Sequence, residues 1–503
     1  MADASAPVLH RISPRDDVAI ALTDLEPGTR AVIDGACLDV TERIPRGHKV
    51  AIREVRGGDP VHKLGWPIGR AAHAIARGSH VHTHNLRTAL AGLDEYVYSP
   101  GSGTGALSAQ AAPAAGTFLG YRRRDGRVAT RNEIWILCTV GCVARTAQRI
   151  AQIGRERFAG RVDGVHALTH PFGCSQLGDD LAHTRGILAA LAAHPNAGGV
   201  LIVGLGCESN QLDALLRQID RGDGTRLRAF SAQAAEDELE QGLAALEELV
   251  TVVERDRREP CPASALTIGL KCGGSDAFSA VTANPLVGHV ADRVCAAGGA
   301  AILSEIPEVF GAEHLLLARA ENAGVFRDAA ALVNDFKRYL IEHGQPLHEN
   351  PSPGNIAGGI TTLEEKSLGA VQKGGHVPLT QVLRYGERSS RPGLALLEAP
   401  GNDAVSSTAL VAAGATVLLF TTGRGTPLGF PAPTLKIASN TVLAQRKPRW
   451  IDFDAGAVLA GESVAEAGER LLQLVLETAS GKAACNELND EREIAIWKSG
   501  VTL

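Results

Sequence analysis

Apolar and polar positions change rhythm once along this chain. Before residue 99, short runs alternate with period two at 18–22, 30–33, 49–53 and 80–84. They are separated by the turn signals Glu26-Pro27-Gly28, Pro45-Arg46-Gly47 and Arg77-Gly78-Ser79. Successive side chains on a strand point to opposite faces, so this spacing predicts a small β-rich domain. Beyond residue 116 the runs become continuously apolar, at 133–140, 165–170, 200–205, 266–270, 300–305, 394–397 and 417–421. Helical patterns lie between many of them, as at 177–193 and along the acidic amphipathic stretch 234–255. Buried strands alternating with helices predict crossover units and a mostly parallel sheet.

Two stretches break the pattern. Residues 99–116 are almost all Gly, Ala, Ser, Thr and Pro, too poor in apolar surface to pack, and read as a linker. Residues 256–264, with Pro260 and Pro262, read as a seam. The expected division is therefore 1–98, linker 99–116, 117–260 and 261–503, in keeping with about three domains for 503 residues.

Composition narrows the function. Lys+Arg 50 against Asp+Glu 56 leaves a net charge of −6, so no sequence-wide basic footprint invites nucleic acid. The longest apolar run, 409–420, falls short of the roughly 20 residues of a membrane span, and the charged N-terminal residues leave no signal-peptide core. Nine scattered cysteines predict a reducing compartment, the cytoplasm. The segment Gly204-Leu-Gly-Cys-Glu-Ser209 lacks the third glycine of a dinucleotide fingerprint and no GxxxxGK[ST] loop occurs, so no nucleotide cofactor is expected.

Ligands of parallel sheets bind beyond the carboxyl ends of the strands, and there the reactive residues gather. One predicted strand runs into His170-Pro-Phe-Gly-Cys174, the next into Gly204-Leu-Gly-Cys207-Glu208, and a third into Lys271-Cys272-Gly-Gly-Ser275-Asp276. Three cysteines beside glycines read either as small buried hydrophobes or as parts of a site. In the β-rich domain, His80, His82 and His84 would share one strand face and suit a divalent transition metal; a solvated histidine cluster is the other reading. Polar, glycine-rich segments at 350–366, 372–375, 400–403 and 422–426, followed by Lys436 and Asn440, suit a polyhydroxylated anion as well as ordinary turns. The basic run 122–127 with Arg131 reads as a solvated hairpin in preference to an anion funnel.

Many of these residues lie within longer matching text: HVHTHN (80–85), RNEIWILCTVGCV (131–143), HPFGCSQLGDD (170–180), GLGCESNQ (204–211), CGGSDAFSAVTANP (272–285), NPSPGNIAGGITTLEEKSLG (350–369), APGNDAVSSTAL (399–410), FTTGRGTPLG (420–429), WIDFDAG (450–456) and KSGVTL (498–503). With them the sequence resembles the altronate/galactarate dehydratase family of sugar-acid hydro-lyases, from about residue 10 to the C-terminus. The resemblance implies a multidomain α/β protein, with a small β-rich, β-clip-like SAF domain followed by two Rossmann-like α/β domains. It also implies dependence on ferrous iron and conversion of a sugar acid such as altronate to a 2-keto-3-deoxy acid and water.

Such an elimination needs a base for the C2 proton, an acid for the departing C3 hydroxyl and stabilisation of an enediolate. The expected catalytic residues are His170 and Lys373. Asn355, Asp403, Arg424 and Lys436 are expected to bind substrate, and His82, His84 and Glu208 to bind Fe(II), with Mn(II) as a possible substitute. An alternative places an iron–sulfur cluster on Cys174, Cys207 and Cys272. A galactarate-type substrate would need a further cation, for which Arg131 and Arg319 are candidates. A non-catalytic sugar-acid binding protein is the rival of a different class. The oligomeric state, a homo-oligomer included, stays open.

Overall fold

The computed structural model describes residues 8–99, 115–219 and 224–503, so most of the expected linker, 100–114, lies outside the described residues. The N-terminal part is all β. Leu9–His10, Val18–Ala21, Lys49–Ala51 and His80–Val81 form an antiparallel sheet in that order. The hairpin Arg30–Ile33/Ala36–Asp39 and the three strands Pro60–Lys63, Trp66–Ala71 and Leu86–Arg87 complete it. The expected strand at 80–84 stops at Val81, because Asn85 folds the chain back: its side-chain oxygen accepts from the His82 amide at 2.9 Å and its amide donates to the His82 carbonyl at 3.0 Å.

The middle part is a four-stranded parallel sheet, in the order Gly164–Leu168, Glu133–Cys138, Ala197–Gly204, Leu227–Ser231. Alternation along one strand feeds two cores. Ile134, Ile136 and Cys138 pack on helices Ala144–Arg157 and Glu238–Val253. Trp135 and Leu137 join Ile187 and Leu188 of helix Gly178–Ala192, in a core shared with helix Asp403–Ala412. Both faces are covered, which is why these strands read as unbroken apolar runs.

The C-terminal part holds seven parallel strands in the order Leu379–Leu383, Gly393–Leu397, Ala300–Leu303, Thr267–Cys272, Val417–Thr422, Thr434–Ala438, Phe453–Asp454. The strand of this sheet that comes first along the chain, Thr267–Cys272, is central, and chain order reverses on either side of it. The stretch read as a seam is itself structured: Glu259–Pro262 pairs antiparallel with Thr117–Arg122. The expected strand at 300–305 ends at Leu303, and Glu305 takes a left-handed conformation, φ +68°, unusual for a residue with a side chain. The middle and C-terminal parts are tied near the amino ends of their strands, where Thr130 Oγ1 donates to the Thr416 carbonyl at 2.8 Å. Among the described residues no helix is long and apolar enough to cross a membrane.

Candidate active site

The carboxyl end of the central strand delivers Lys271 and Cys272. The neighbouring strand runs past Leu303 into Glu305 and a short 3₁₀ turn, Ile306–Glu308. Helix Leu363–Ala370 contributes Lys366, the turn Val371–Gly374 contributes Lys373, and Asp403 opens the helix Asp403–Ala412.

These side chains form one charged cluster. Lys271 donates to Glu305 Oε1, to Asp403 Oδ1 at 2.8 Å and to the Cys272 carbonyl at 2.7 Å. Lys373 donates to Glu305 Oε2 at 3.0 Å, and that oxygen also accepts the Cys272 amide at 3.1 Å. Lys366 donates to Glu308 Oε1 at 2.7 Å and to Asn350 Oδ1 at 2.9 Å. The Cys272 sulfur lies 3.2 Å from Glu308 Oε2 and 3.7 Å from Glu305 Oε2. Among the described residues, Cys272, Glu305 and Glu308 are the one set of three whose ligand atoms lie within 4.8 Å of one another, and all three are buried. The left-handed backbone of Glu305 is held by these contacts on its carboxylate.

Three ammonium groups face three carboxylates here, and the mutual field overcomes the cost of burial. Burial would lower Lys271 and Lys373, yet the surrounding acidic groups raise both. Burial would raise Glu308, yet Lys366, Lys271 and Lys373 hold it well below the usual carboxylate range. The Cys272 thiol is pushed up to about 12, first by burial and then by Glu305 and Glu308. Asp403, with a side chain 38% exposed, opens the cluster to solvent. Gly273 allows this approach, since a Cβ there would stand 2.6 Å from Asp403 Oδ2.

The N-terminal domain grips the same region. Lys49 and Lys63 both donate to the buried carboxylate of Glu365, Lys49 at 3.1 and 2.8 Å and Lys63 at 2.7 Å. Thr88 and the Ala89 amide hold Glu364. The next residue of that helix, Lys366, faces the cluster. A group of four histidines adjoins the helix Pro353–Ala357, and two of them meet it. His82 Nε2 lies 3.1 Å from the Ile356 carbonyl, His48 Nε2 lies 3.4 Å from that of Ala357, and His48 Nδ1 meets His80 Nε2 at 3.0 Å. His84 joins them with its ring centroid 5.6 Å from that of His80. Burial first, and then like neighbours, drives His80 down to about 3; burial drives His82 down to about 4.

Comparison with known proteins identifies the three parts of the chain. Residues 8–89 match the altronate/galactarate dehydratase SAF domain, 120–254 the second domain of D-galactarate dehydratase/altronate hydrolase, and 263–502 the D-galactarate/altronate dehydratase C-terminal domain. Altronate dehydratase of Escherichia coli (strain K12) is 48% identical over 98% of this chain and 99% of its own length. That of Bacillus subtilis (strain 168) is 46% identical over the same shares. The L-threo-forming galactarate dehydratase of Escherichia coli is 37% identical over 94% of this chain and 92% of its own.

The chain belongs to the altronate/galactarate dehydratase family. It is a sugar-acid hydro-lyase, built from an N-terminal SAF domain and two α/β parts.

Within this dehydratase the residues singled out from sequence fall into separate places. Lys373 and Asp403 meet in the cluster with Cys272. Arg424 is exposed; its amide donates to the Gly274 carbonyl at 3.1 Å, while its guanidinium has no hydrogen-bond or ion-pair partner among the described residues. It lies beside the cluster's approach: a Cβ on Gly354 would come within 3.7 Å of its Nε and one on Gly274 within 3.6 Å of its Cβ. Asn355 is structural in its contacts, completing a capping box with Ser352 and donating to the Ser275 carbonyl at 2.8 Å. Lys436 is buried and paired with Glu491 at 2.7 Å.

His170 uses both ring nitrogens on backbone: Nε2 meets the Cys138 carbonyl at 2.9 Å and Nδ1 accepts the Phe172 amide at 3.2 Å. Burial lowers its pKa. Glu208 accepts from Thr139 Oγ1 at 2.5 Å and from the Leu205 and Gly206 amides at 3.0 and 2.5 Å, so it closes its own loop on the middle sheet and makes none of its hydrogen bonds with His82 or His84. Cys174 and Cys207 are exposed on that sheet, whereas Cys272 is buried on the other.

Sequence reasoning missed Glu305 and Glu308 as site residues, and His48 as a partner of the other histidines. The carboxyl-end rule, applied to the apolar run at 300–305, would have pointed to the first two.

Proposed function

We propose that this dehydratase converts D-altronate to 2-dehydro-3-deoxy-D-gluconate and water, with Fe(II) as cofactor. The observation that carries the substrate choice is the state of the cations. Arg131 is spent on Glu487, and Arg319 on the Gly374 and Gly375 carbonyls. Arg424 remains at the mouth for a single carboxylate. The two altronate dehydratase relatives, more similar than the galactarate dehydratase, support the same choice. We also read the two parallel sheets as Rossmann-like and doubly wound; the reversal of strand order at Thr267–Cys272, with the cluster beyond its carboxyl end, supports this.

The donor set fits the metal. Glu308 keeps Oε1 on Lys366 and turns Oε2 toward the Cys272 sulfur, whereas Glu305 is held by Lys271 on Oε1 and by Lys373 and the Cys272 amide on Oε2, so outer partners orient both carboxylates as supporting groups orient metal ligands. Cys272, a thiol in the free site, would release its proton on binding the ion; a thiolate with two carboxylates suits Fe(II), and Mn(II) as a weaker substitute. Bound there, the ion would supply Lewis acidity to the substrate carboxylate and its adjacent hydroxyl. Arg424 orients the carboxylate. Asp403, open to solvent, takes the C2 proton, and Lys373, protonated at rest, gives a proton to the departing C3 hydroxyl. The enol left behind tautomerises to the 2-keto acid.

The test is an anaerobic assay with Fe(II) and a reductant, following 2-keto-3-deoxy acid formation from D-altronate and D-galactarate. Faster turnover of galactarate, or full activity in metal-free protein, overturns the proposal.

A further inference from the structure

The middle sheet carries reactive groups that the reading above does not use. Three of its loops each end a strand and each expose one cysteine. Cys142 follows Glu133–Cys138, Cys174 follows Gly164–Leu168, and Cys207 follows Ala197–Gly204. These three strands are adjacent in the sheet, with that of Cys142 in the middle.

The loops interlock. The Gly141 amide donates to the Phe172 carbonyl at 2.9 Å, the Asn210 amide to the Gly173 carbonyl at 2.9 Å, and Asn210 Nδ2 to the Thr139 carbonyl at 3.1 Å. The Ser175 amide donates to Ser209 Oγ at 3.1 Å. His170 and Glu208 brace two of the loops from within, as described above. Gly173, at φ +103°, sits so close to the 139–140 backbone that a Cβ would come 2.2 Å from the Thr139 carbonyl oxygen. The scaffold is thus rigid while its three thiols face solvent. The other cysteine of this sheet, Cys138, is buried in the core, its thiol pushed up to about 12 by burial.

We propose that Cys142, Cys174 and Cys207 form a three-thiolate site for an iron–sulfur cluster on the carboxyl edge of the middle sheet, apart from the Cys272 cluster. Thiolates are the ligands such clusters select. A single ion is the wrong occupant, because among the described residues these sulfurs do not close to within 4.8 Å of one another as a set. A polynuclear cluster binds each thiolate through a different iron and takes a wider spacing. With three protein ligands, one iron of a cuboidal cluster keeps a free position for an oxygen ligand. Loading is ligand exchange without electron transfer: three protein thiols each lose a proton to a small thiolate that leaves the cluster as thiol, and three iron–sulfur bonds form as three break. The structure also regroups the cysteines expected from sequence, since Cys142 takes the place given to Cys272.

The test is anaerobic transfer from a synthetic thiolate-ligated [4Fe–4S] cluster to the full chain, followed by desalting. The expected result is a retained visible absorption band with about four irons and about four acid-labile sulfides per chain. Cys142→Ser, Cys174→Ser and Cys207→Ser should each lose the band and the sulfide, whereas Cys37→Ser and Cys272→Ser keep both. Because labile sulfide is counted, the outcome is independent of Fe(II) at Cys272. Alkylation mapped by mass spectrometry gives a second readout in unmutated protein: the cluster should shield these three thiols and leave Cys37 reactive. Wild-type protein without labile sulfide, loss of the cluster in Cys272→Ser but not in Cys142→Ser, or equal alkylation of the trio with and without cluster would each refute the site.

Discussion

Lys49 of the SAF domain and Glu365 of the C-terminal domain form a fully buried ion pair, with Nζ 3.1 and 2.8 Å from the two carboxylate oxygens. Lys63 shares the same carboxylate, and Thr361 completes it through its amide and hydroxyl. One charge thus docks the SAF domain directly behind Lys366. Replacing Lys49 by Met leaves the carboxylate with one lysine, and breaking a buried pair costs about 3–5 kcal/mol. Lys49→Met should therefore lower stability by about 3 kcal/mol in urea unfolding and reduce turnover as well. Unchanged stability would show that Lys63 suffices alone.

The same carboxylate sets an acid limit. Burial would raise the pKa of Glu365, but Lys49 and Lys63 hold it far below its ordinary value of 4.5. A depressed folded pKa contributes stability that is present above the unfolded value and lost as pH falls below it. SAF docking should weaken below about pH 4.5, and Glu365→Gln should already be weakened at neutral pH. Limited proteolysis between the domains across this range reads the effect.

A histidine adds a second pH term in a higher window. His194 is buried neutral, its Nε2 on the Ala415 carbonyl at 3.2 Å and its Nδ1 accepting the Asn196 amide at 3.1 Å; burial pushes it from 6.5 down to about 3. Between those values the unfolded chain binds a proton that the folded chain does not. Stability should fall with acidification by about 1.4 kcal/mol per pH unit from this group. His194→Asn should flatten the slope of unfolding free energy against pH between about 6 and 5, and an unaltered slope would argue against the assignment.

Iron affinity offers a third check. Lys366 touches Glu308 and not the sulfur, so Lys366→Met should weaken Fe(II) binding by about 10–100-fold, as loss of a group orienting a metal ligand does. Chelation of wild-type protein should abolish turnover while circular dichroism stays native, since the α/β cores are built of apolar side chains. Re-added Fe(II) should restore the rate, with Mn(II) restoring part of it.

Arg424 separates binding from chemistry. A charge-assisted hydrogen bond to a carboxylate is worth about 1.5–3 kcal/mol. Arg424→Ala should accordingly raise KM for altronate by about 10–100-fold and leave kcat within a few-fold of wild type. A collapse of kcat with unchanged KM would place Arg424 in the chemical step instead.

Periodicity along the chain determined the broad plan: a β-rich start, then parallel sheets covered on both faces, because alternation and unbroken apolar runs are local consequences of which strand faces are buried. The motif text likewise carried the family, and strand-end chemistry pointed to Lys373, Asp403 and Cys272. Sequence could not decide which ends meet. Cys174, Cys207 and Cys272 look equivalent along the chain, yet strand order puts two on one sheet and the third on another. Glu305 and Glu308 stand more than thirty residues beyond Cys272, and only the pairing of Ala300–Leu303 with Thr267–Cys272 brings them to its sulfur. His170 and Glu208 carry suitable chemistry, but backbone groups and, for Glu208, the Thr139 hydroxyl occupy their polar atoms. Contacts between segments distant along the chain depend on sheet order and docking, which no local pattern encodes, and here they separated the reactive side chains from those that hold loops in place.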